Sequence, residues 1–416
     1  MTGLPMTQNK RSNFPTLWRN FPVHRFMGGN LISFFGDQIY LIALPLLVLD
    51  ITGSPLSMGM VSALERLPIL MQPIIGVLAD RFNRKRLLMG SDLGRCLIIG
   101  LLGLLFLTEQ LEMEFIYAGA IIIGVLSQIY NTVQFASIPS LVSKHDLQAV
   151  NAIQAGFSKT AVLVGPGLGG FIISLYNPGY ALLVNSLSFL VSFLAIASIP
   201  IGKTITGRKT HTSFFNDLRE GFVFVWKTKP ILFTNLAILT SMSGTTLFLT
   251  MLVFYLKEDA YLSAIQIGWL VSLGGVGAIL GAISTNLWLK KFSHKQLLFV
   301  SSVLGGLSII LFSQAQSFIW LVLFNTLGDF MASIMNPCIV TIRQTLTPDH
   351  LLGRVQATSR FMSWILLPLF SLLAGVLAMY IGSSTTIFIG GLLATIASLF
   401  YLHPSLKKEG YIREEL

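Results

Sequence analysis

Charge is scarce in this chain. Asp, Glu, Lys and Arg make up 11% of its 416 residues, where a soluble domain carries about 25%. Cysteine is scarcer still. Only Cys96 and Cys338 occur, both inside apolar runs. They are too few for a disulfide framework or a zinc site, and both are expected as buried thiols. The six histidines, His24, His145, His211, His294, His350 and His403, are scattered, without the spacing of a metal site or a catalytic triad. No Walker phosphate-binding loop occurs. These absences leave no catalytic residue, no metal and no cofactor to expect, and they exclude an ATP-driven pump within this chain. Residues 1–25 are polar and the first apolar run is too long for a secretory leader, so no signal peptide is expected.

Apolar residues are abundant instead, at 53%. They gather in runs of about 20, the length that crosses roughly 30 Å of hydrocarbon at 1.5 Å per residue. Such runs must be helices, because lipid offers an open backbone no hydrogen-bond partner. Twelve spans are expected, near 26–49, 56–79, 86–107, 115–137, 150–175, 180–200, 230–256, 264–289, 296–314, 317–340, 355–380 and 384–402, in an all-α membrane protein. The loops between them alternate in charge. The N-terminal tail, the loops near 80–86, 138–149, 201–229, 290–295 and 341–354, and the C-terminal tail hold 23 Lys and Arg, while the opposite set holds one, Lys257. The positive-inside rule puts both termini in the cytoplasm of a cell-membrane protein. The formal net charge of +10 follows from that placement. It points to a lipid bilayer, not to nucleic acid.

The chain also repeats itself. "LVSKHDLQAVNA" from Leu141 aligns with "LTPDHLLGRVQA" from Leu346 at an offset of 205, which also pairs Gly170 with Gly375. That is close to half the chain. Two pseudo-symmetric six-helix bundles are expected, at 26–200 and 230–402, between a cytoplasmic tail at 1–25 and another at 403–416. Substrate sites in such repeats lie at the midplane between halves. The linker, 201–229, places Phe214, Phe215, Leu218, Phe222, Val225 and Trp226 on one face at helical spacing. An amphipathic helix is expected there, lying on the membrane or packed on protein.

Eight ionisable residues fall well inside the spans: Asp37, Glu65, Asp92 and Asp329, with Arg66, Arg95, Lys159 and Arg360. A charge at a lipid-exposed helix centre costs about 2.5–3.5 kcal/mol, so each should face protein or water and find a partner. Counted at 1.5 Å per residue from the cytoplasmic ends, Asp37 lies about 18 Å deep, Arg66 about 20 Å and Asp329 about 16 Å. Asp37 and Arg66 are level on consecutive spans, and an ion pair between them is expected.

The loop between spans 2 and 3 reads "GVLADRFNRKRLL" from Gly76. Gly76 would allow close helix approach. Asp80 precedes the bases Arg81, Arg84, Lys85 and Arg86. This loop resembles the signature of the major facilitator superfamily, G-x-L-A-D-R-x-G-R-K/R, with Asn83 in place of the second glycine. The resemblance implies that Asp80 faces the N-terminal end of span 11, where a carboxylate favours the helix dipole, as part of a cytoplasmic latch comprising Gly76, Asp80, Arg81, Arg84 and Lys85. Span 5 carries "AVLVGPGLGG" from Ala161, similar to the glycine-rich element of antiporter branches at Gly165, Pro166, Gly169 and Gly170. Its expected neighbour is the run Gly274, Gly275, Gly277 and Gly281 in span 8. Stretches such as "GDQIYLIALPLLVLDITGSPL" from Gly36 and "GRVQATSRFMSWILLPL" from Gly353 resemble the macrolide-efflux and enterobactin-exporter branch, over nearly the whole chain.

The resemblance implies a secondary active transporter that exports a hydrophobic or amphipathic small molecule in exchange for protons, working as a monomer. A proton-coupled uptake symporter, or a non-transporting sensor or scaffold, shares much of this pattern. Drug–proton antiporters often place an arginine in span 4, which here offers Gln128, Asn131 and Gln134. In the superfamily fold spans 1, 4, 7 and 10 line the cavity, which makes Asp37 and Asp329 cavity candidates. Asp37 is the expected proton carrier, with Arg66 tuning it and Asp329 next. Asp92 and Arg95, on a span peripheral in that fold, are expected to brace the latch. Lys159 and Arg360 fall at the seam between halves, and Glu65 is a buried charge without an assigned role. The aromatic and thioether side chains of the four cavity spans, among them Tyr40, Tyr130, Phe135, Phe248, Phe324, Met251 and Met335, suit a bulky ligand.

Overall fold

Each apolar run becomes a helix whose ends are set by local chemistry. The computed structural model describes residues 19–406 except 73, 74, 77, 79–81, 144 and 201–213, together with the backbone alone of 214–218. Asn20 accepts a hydrogen bond from the Val23 amide and opens α1 (Phe21–Thr52), which Gly53 ends at a φ of 58°. Ser54 caps α2 (Pro55–Arg66), which tightens into a 3₁₀ turn at Leu67–Met71 around Pro68. Helical residues resume at Ile75, Gly76 and Leu78. Asn83 caps α3 (Arg84–Leu107); α4 (Met113–Ser137) and α5 (Leu147–Leu175) follow. Asn177 caps α6 (Pro178–Ala197). Beyond the linker helix α7 (Phe214–Lys227) come α8 (Lys229–Phe254) and α9 (Ala264–Leu289), then α10 (His294–Gln314) and α11 (Phe318–Leu346). Capping boxes at Ser263 with Gln266 and Ser293 with Gln296 start α9 and α10. The eleventh span is two helices, α12 (Leu352–Trp364) and α13 (Leu367–Ile381), broken before Pro368. α14 (Ser383–Ile396) closes the set.

Eleven described helices are long and apolar enough to cross a membrane. The segment that begins with α2 supplies the twelfth span, and no strand occurs among the described residues. The expected spans match these helices closely, although α1 starts at Phe21 and α11 runs on to Leu346. On α3, Leu93, Leu97, Leu101 and Leu104 form an exposed stripe, the face that such a helix turns to lipid.

The helices form two bundles with matching contacts. In the first, α1 packs on α6, and α3 on α6 and α4. In the second, α8 packs on α14, and α10 on α14 and α11. The seam is matched too: α5 meets α9, and α2 meets α13. A lysine clips each bundle at the end nearer the termini. Lys85 Nζ donates to the Ala197 and Ile199 carbonyls at 2.7 and 2.8 Å. Lys295 Nζ donates to the Leu402 carbonyl at 2.9 Å. A cation suits the negative end of a helix dipole.

The bundles meet at one end and part at the other. A single apolar cluster, with Leu47, Met58, Ile123, Leu247, Phe312 and Ala378, spans both bundles at the end remote from the termini. Near the termini the clusters are separate, one around Phe26, Leu88 and Tyr130 and another around Leu298, Cys338 and Tyr401.

The linker helix packs one side on protein and leaves another exposed. Val225 is buried against α12, and a Cβ on Gly221 would lie 2.5 Å from Thr358 Oγ1. Glu220 accepts a hydrogen bond from Arg354. Phe222 and Trp226 are exposed and stacked, with ring centroids 6.2 Å apart. The side chains of Phe214, Phe215 and Leu218 lie outside the described residues.

Candidate functional site

Beneath the closed end, between the bundles, lies a cavity of about 570 Å³. Its walls come mainly from α1, α2, α4, α8, α10 and α11, with Arg95 and Ile99 reaching in from α3 and single residues from α5, α6, α9 and α14. It is therefore wider in origin than the four spans expected. Five of the eight intramembrane charges line it: Asp37, Glu65, Arg66, Arg95 and Asp329. Tyr40, Phe248, Phe324 and Met335 line it as expected, and Phe189 and Phe312 join them. Tyr130, Phe135 and Met251 do not. Tyr130 and Met251 are buried in helix packing, and Phe135 is 70% exposed. Of Gln128, Asn131 and Gln134, Asn131 lines the cavity, together with Ser127 one turn earlier. Tyr40 Oη and Thr250 Oγ1 are buried in the wall with no hydrogen-bond partner.

The charges are not paired as depth alone suggests. Asp37 and Arg66 share the cavity but form no ion pair. Arg66 Nη1 instead donates to Ser371 Oγ on α13 at 2.8 Å. The base acting most strongly on Asp37 is Arg95, and the acid is Asp92. Being level fixes height on a helix but not direction around it.

Asp92 and Arg95 are the largest departure from expectation. The structure sets them in a buried polar network beside the cavity. Arg95 Nη2 lies 2.6 Å from Asp92 Oδ1, with the side chains 2% and 0% exposed. Ser192 Oγ donates to Asp92 Oδ2 at 2.7 Å. The Arg95 guanidinium lies 4.3 Å from the Tyr130 ring centroid and 4.1 Å from that of Phe189, a favourable placement for a desolvated cation. Tyr130 Oη donates to Asn30 Oδ1. The i,i+3 spacing of Asp92 and Arg95 is the sequence signal for this pair. Removing one partner of a buried pair strands the other charge and costs about 3–5 kcal/mol. Asp92→Ala is expected to lower the melting temperature of the purified protein strongly. Asp92→Asn, which still accepts from Ser192, should lower it less. A melting temperature unchanged in Asp92→Ala would overturn this account.

The remaining charges lie outside the cavity wall. Lys159, on α5, is exposed and is the base that acts on Asp329 across the seam. Arg360 is exposed and sits over Trp364, 4.3 Å from the ring centroid.

The span 5 element is a contact surface with two faces. A Cβ on Gly165 would lie 2.4 Å from Gln38 Cβ, and one on Gly169 would lie 3.1 Å from Ile39 Cα, both on α1. On the other face, a Cβ on Gly170 would lie 2.4 Å from the Ala264 carbonyl and 3.1 Å from Gly268 Cα on α9. Beside Pro166, the Gly167 amide donates to Ser272 Oγ at 2.9 Å. The partner glycine is thus Gly268. Of the expected run only Gly275 faces α5, at Leu163, while Gly274, Gly277 and Gly281 face α11 at Asp329, Thr326 and Phe330.

Asp80 and Arg81 of the expected latch lie outside the described residues. Among the described residues, a Cβ on Gly76 would meet nothing within 4 Å. Arg84 Nη1 donates to the Ala136 carbonyl at 2.6 Å, and Lys85 holds the end of α6. Both bases serve their own bundle.

Twelve spans in two matched bundles around a central, charge-bearing cavity define a transporter of the major facilitator fold. Within that class the chain belongs to the transmembrane secretion effector family, whose profile matches residues 21–411. It is similar to the multidrug efflux pump Tap of Mycolicibacterium fortuitum, with 25% identity over 82% of this chain and 86% of that protein. It is also similar to the enterobactin exporter EntS of Escherichia coli O1:K1 / APEC, with 26% identity over 67% of this chain and 66% of that one. The fold is shared with the nucleoside transporter NupG, at a TM-score of 0.75 and 12% identity over 93% of this chain and 100% of that structure. A bacterial homologue of the iron transporter ferroportin in an inward-facing state has a TM-score of 0.73 and 16% identity over 93% and 99% of the two chains.

Proposed function

We propose that this protein exports hydrophobic or amphipathic small molecules from the cytoplasm in exchange for protons, as a monomer in the cell membrane with both termini cytoplasmic. The observation that carries this reading is the cavity. It joins aromatic and thioether walls, suited to a bulky ligand, to carboxylates on both bundles, Asp37 and Glu65 on one and Asp329 on the other. The unpartnered hydroxyls of Tyr40 and Thr250 offer polar handles for a bound compound. The efflux and export roles of Tap and EntS support outward transport.

With the termini in the cytoplasm, the parted end of the bundles faces inward, and the structure is the state that loads substrate. In the complementary state the seam around Gly170 and Gly375 opens and the other ends close. A proton falling through 100 mV supplies about 2.3 kcal/mol, enough per proton for roughly fiftyfold accumulation (RT ln K). Cells with the gene are expected to accumulate less labelled macrolide, dye or siderophore than cells without it. A protonophore should abolish the difference. Higher accumulation in expressing cells would turn the reading to uptake, and equal accumulation of every compound would remove it.

A further inference from the structure

An arginine of the first bundle is hydrogen-bonded to a buried hydroxyl of the second, and the residue before it is a carboxylate on the same cavity wall. Arg66 ends α2, where the helix tightens into its 3₁₀ turn. It lines the cavity and donates to Ser371 Oγ at 2.8 Å. Ser371 is wholly buried and lies one turn before Gly375, which touches Gly59 backbone to backbone. The bond therefore sits in the closed seam between α2 and α13. The preceding residue, Glu65, faces the same cavity.

Few charged groups reach Glu65. Arg66 is the base that acts on it and Asp37, on α1, is the acid. Tyr40, also on α1, feels the charge of Glu65 in turn. The other helices packed on α2 carry no charged residue along their membrane stretches, 115–137 of α4, 230–254 of α8 and 367–381 of α13. Arg66 thus stands between two acceptors, one neutral and across the seam, the other a carboxyl group on its own helix. A carboxylate attracts a guanidinium with a full charge and can accept from it through both oxygens, which a neutral hydroxyl cannot do. Which acceptor wins depends on whether Glu65 carries a proton.

We propose that Arg66 is a positioning residue that ties the closed seam to the protonation of Glu65. While Glu65 is neutral, Arg66 holds Ser371 and the seam stays shut. When the proton leaves Glu65 for water, the carboxylate draws Arg66 away and releases α13. No other bond changes. This inference rests on the proton-exchange reading above and fits its direction. Proton loss from the cavity on the cytoplasmic side frees the far seam, and a proton taken up from outside restores it.

The test uses the full-length protein in lipid nanodiscs, without substrate. Cys96 and Cys338 are replaced by alanine, and spin labels are placed through Ile51→Cys and Tyr380→Cys, both exposed near the closed end. Electron–electron distances are read at pH 6 and pH 8.5. The fraction of separated pairs is expected to rise at least threefold with pH. Glu65→Gln should hold the pH 6 distribution at both values. Ser371→Ala should show the separated population at both. Either variant decides the matter alone. A normal pH response in Glu65→Gln, or the parent distribution in Ser371→Ala, would overturn the proposal. The measurement involves neither substrate nor gradient, so its failure leaves the export assay standing, and the converse holds.

Discussion

Gly170→Val is expected to cut transport about tenfold while the protein still inserts and purifies, and Gly375→Val should do the same. These two glycines occupy matching places in the seam. A Cβ on Gly375 would lie 2.8 Å from the Pro55 carbonyl and 3.0 Å from Gly59 Cα. On Gly170 it would meet the Ala264 carbonyl at 2.4 Å. The obstacles are backbone atoms, which cannot swing aside as a flexible side chain can. Overpacking of this kind costs about 1–3 kcal/mol, and here the strain falls on one conformational state more than the other. Parting the bundles at this end relieves it, so the state with this seam closed loses population and the cycle stalls. A tenfold loss of export is expected for either variant. Gly90→Ala and Gly156→Ala, where a Cβ meets nothing within 4 Å, should transport normally. A fully active Gly170→Val would show that the seam does not need this close approach.

Asp37→Asn is expected to remove proton-driven export and leave the protein folded. Asp37 lines the cavity, within electrostatic reach of the Asp92–Arg95 pair. Asparagine keeps the shape but cannot exchange a proton. In proteoliposomes with an imposed pH gradient, the variant should lose at least tenfold in uphill transport. Exchange of substrate for substrate, which needs no net proton movement, should persist. The rate of exchange should also become flat with pH where the parent protein's is not. An unchanged pH profile and unchanged uphill transport in Asp37→Asn would move the coupling role to another carboxylate.

The spans and the two-bundle plan were legible because run length and loop charge are one-dimensional signals, fixed by the thickness of the bilayer. The offset that pairs Gly170 with Gly375 reappears as two equivalent seam contacts. Depth was legible for the same reason: Asp37, Arg66 and Asp329 do meet at one cavity. Direction was not. Arg66 turns to Ser371, 305 residues away in sequence, and nothing in the local pattern of α2 names that partner. Arg95 was assigned to the periphery by the usual position of its helix. A long side chain on a peripheral helix can still reach a central cavity, and Asp92 beside it was the clue. The breaks in the second and eleventh spans carried a local signal in Pro68 and Pro368, since proline cannot continue a helix ladder. The exact neighbour of the span 5 glycines lay beyond sequence reach, because α9 offers Gly268 on one face and Gly274, Gly277 and Gly281 on another.

The lysine clips have a mechanical consequence. Lys85 and Lys295 each fasten the third helix of a bundle to the end of its sixth, so each bundle behaves as a stiff arm, not as six loose rods. Among the described residues, the apolar cluster that the arms share lies at one end. With 26 residues, α8 is about 39 Å long at 1.5 Å per residue. A tilt of about 10° at the seam would then carry the far end through roughly 7 Å, by the same helix length. Leverage then turns a small tilt at the seam glycines into a wide opening at the far end.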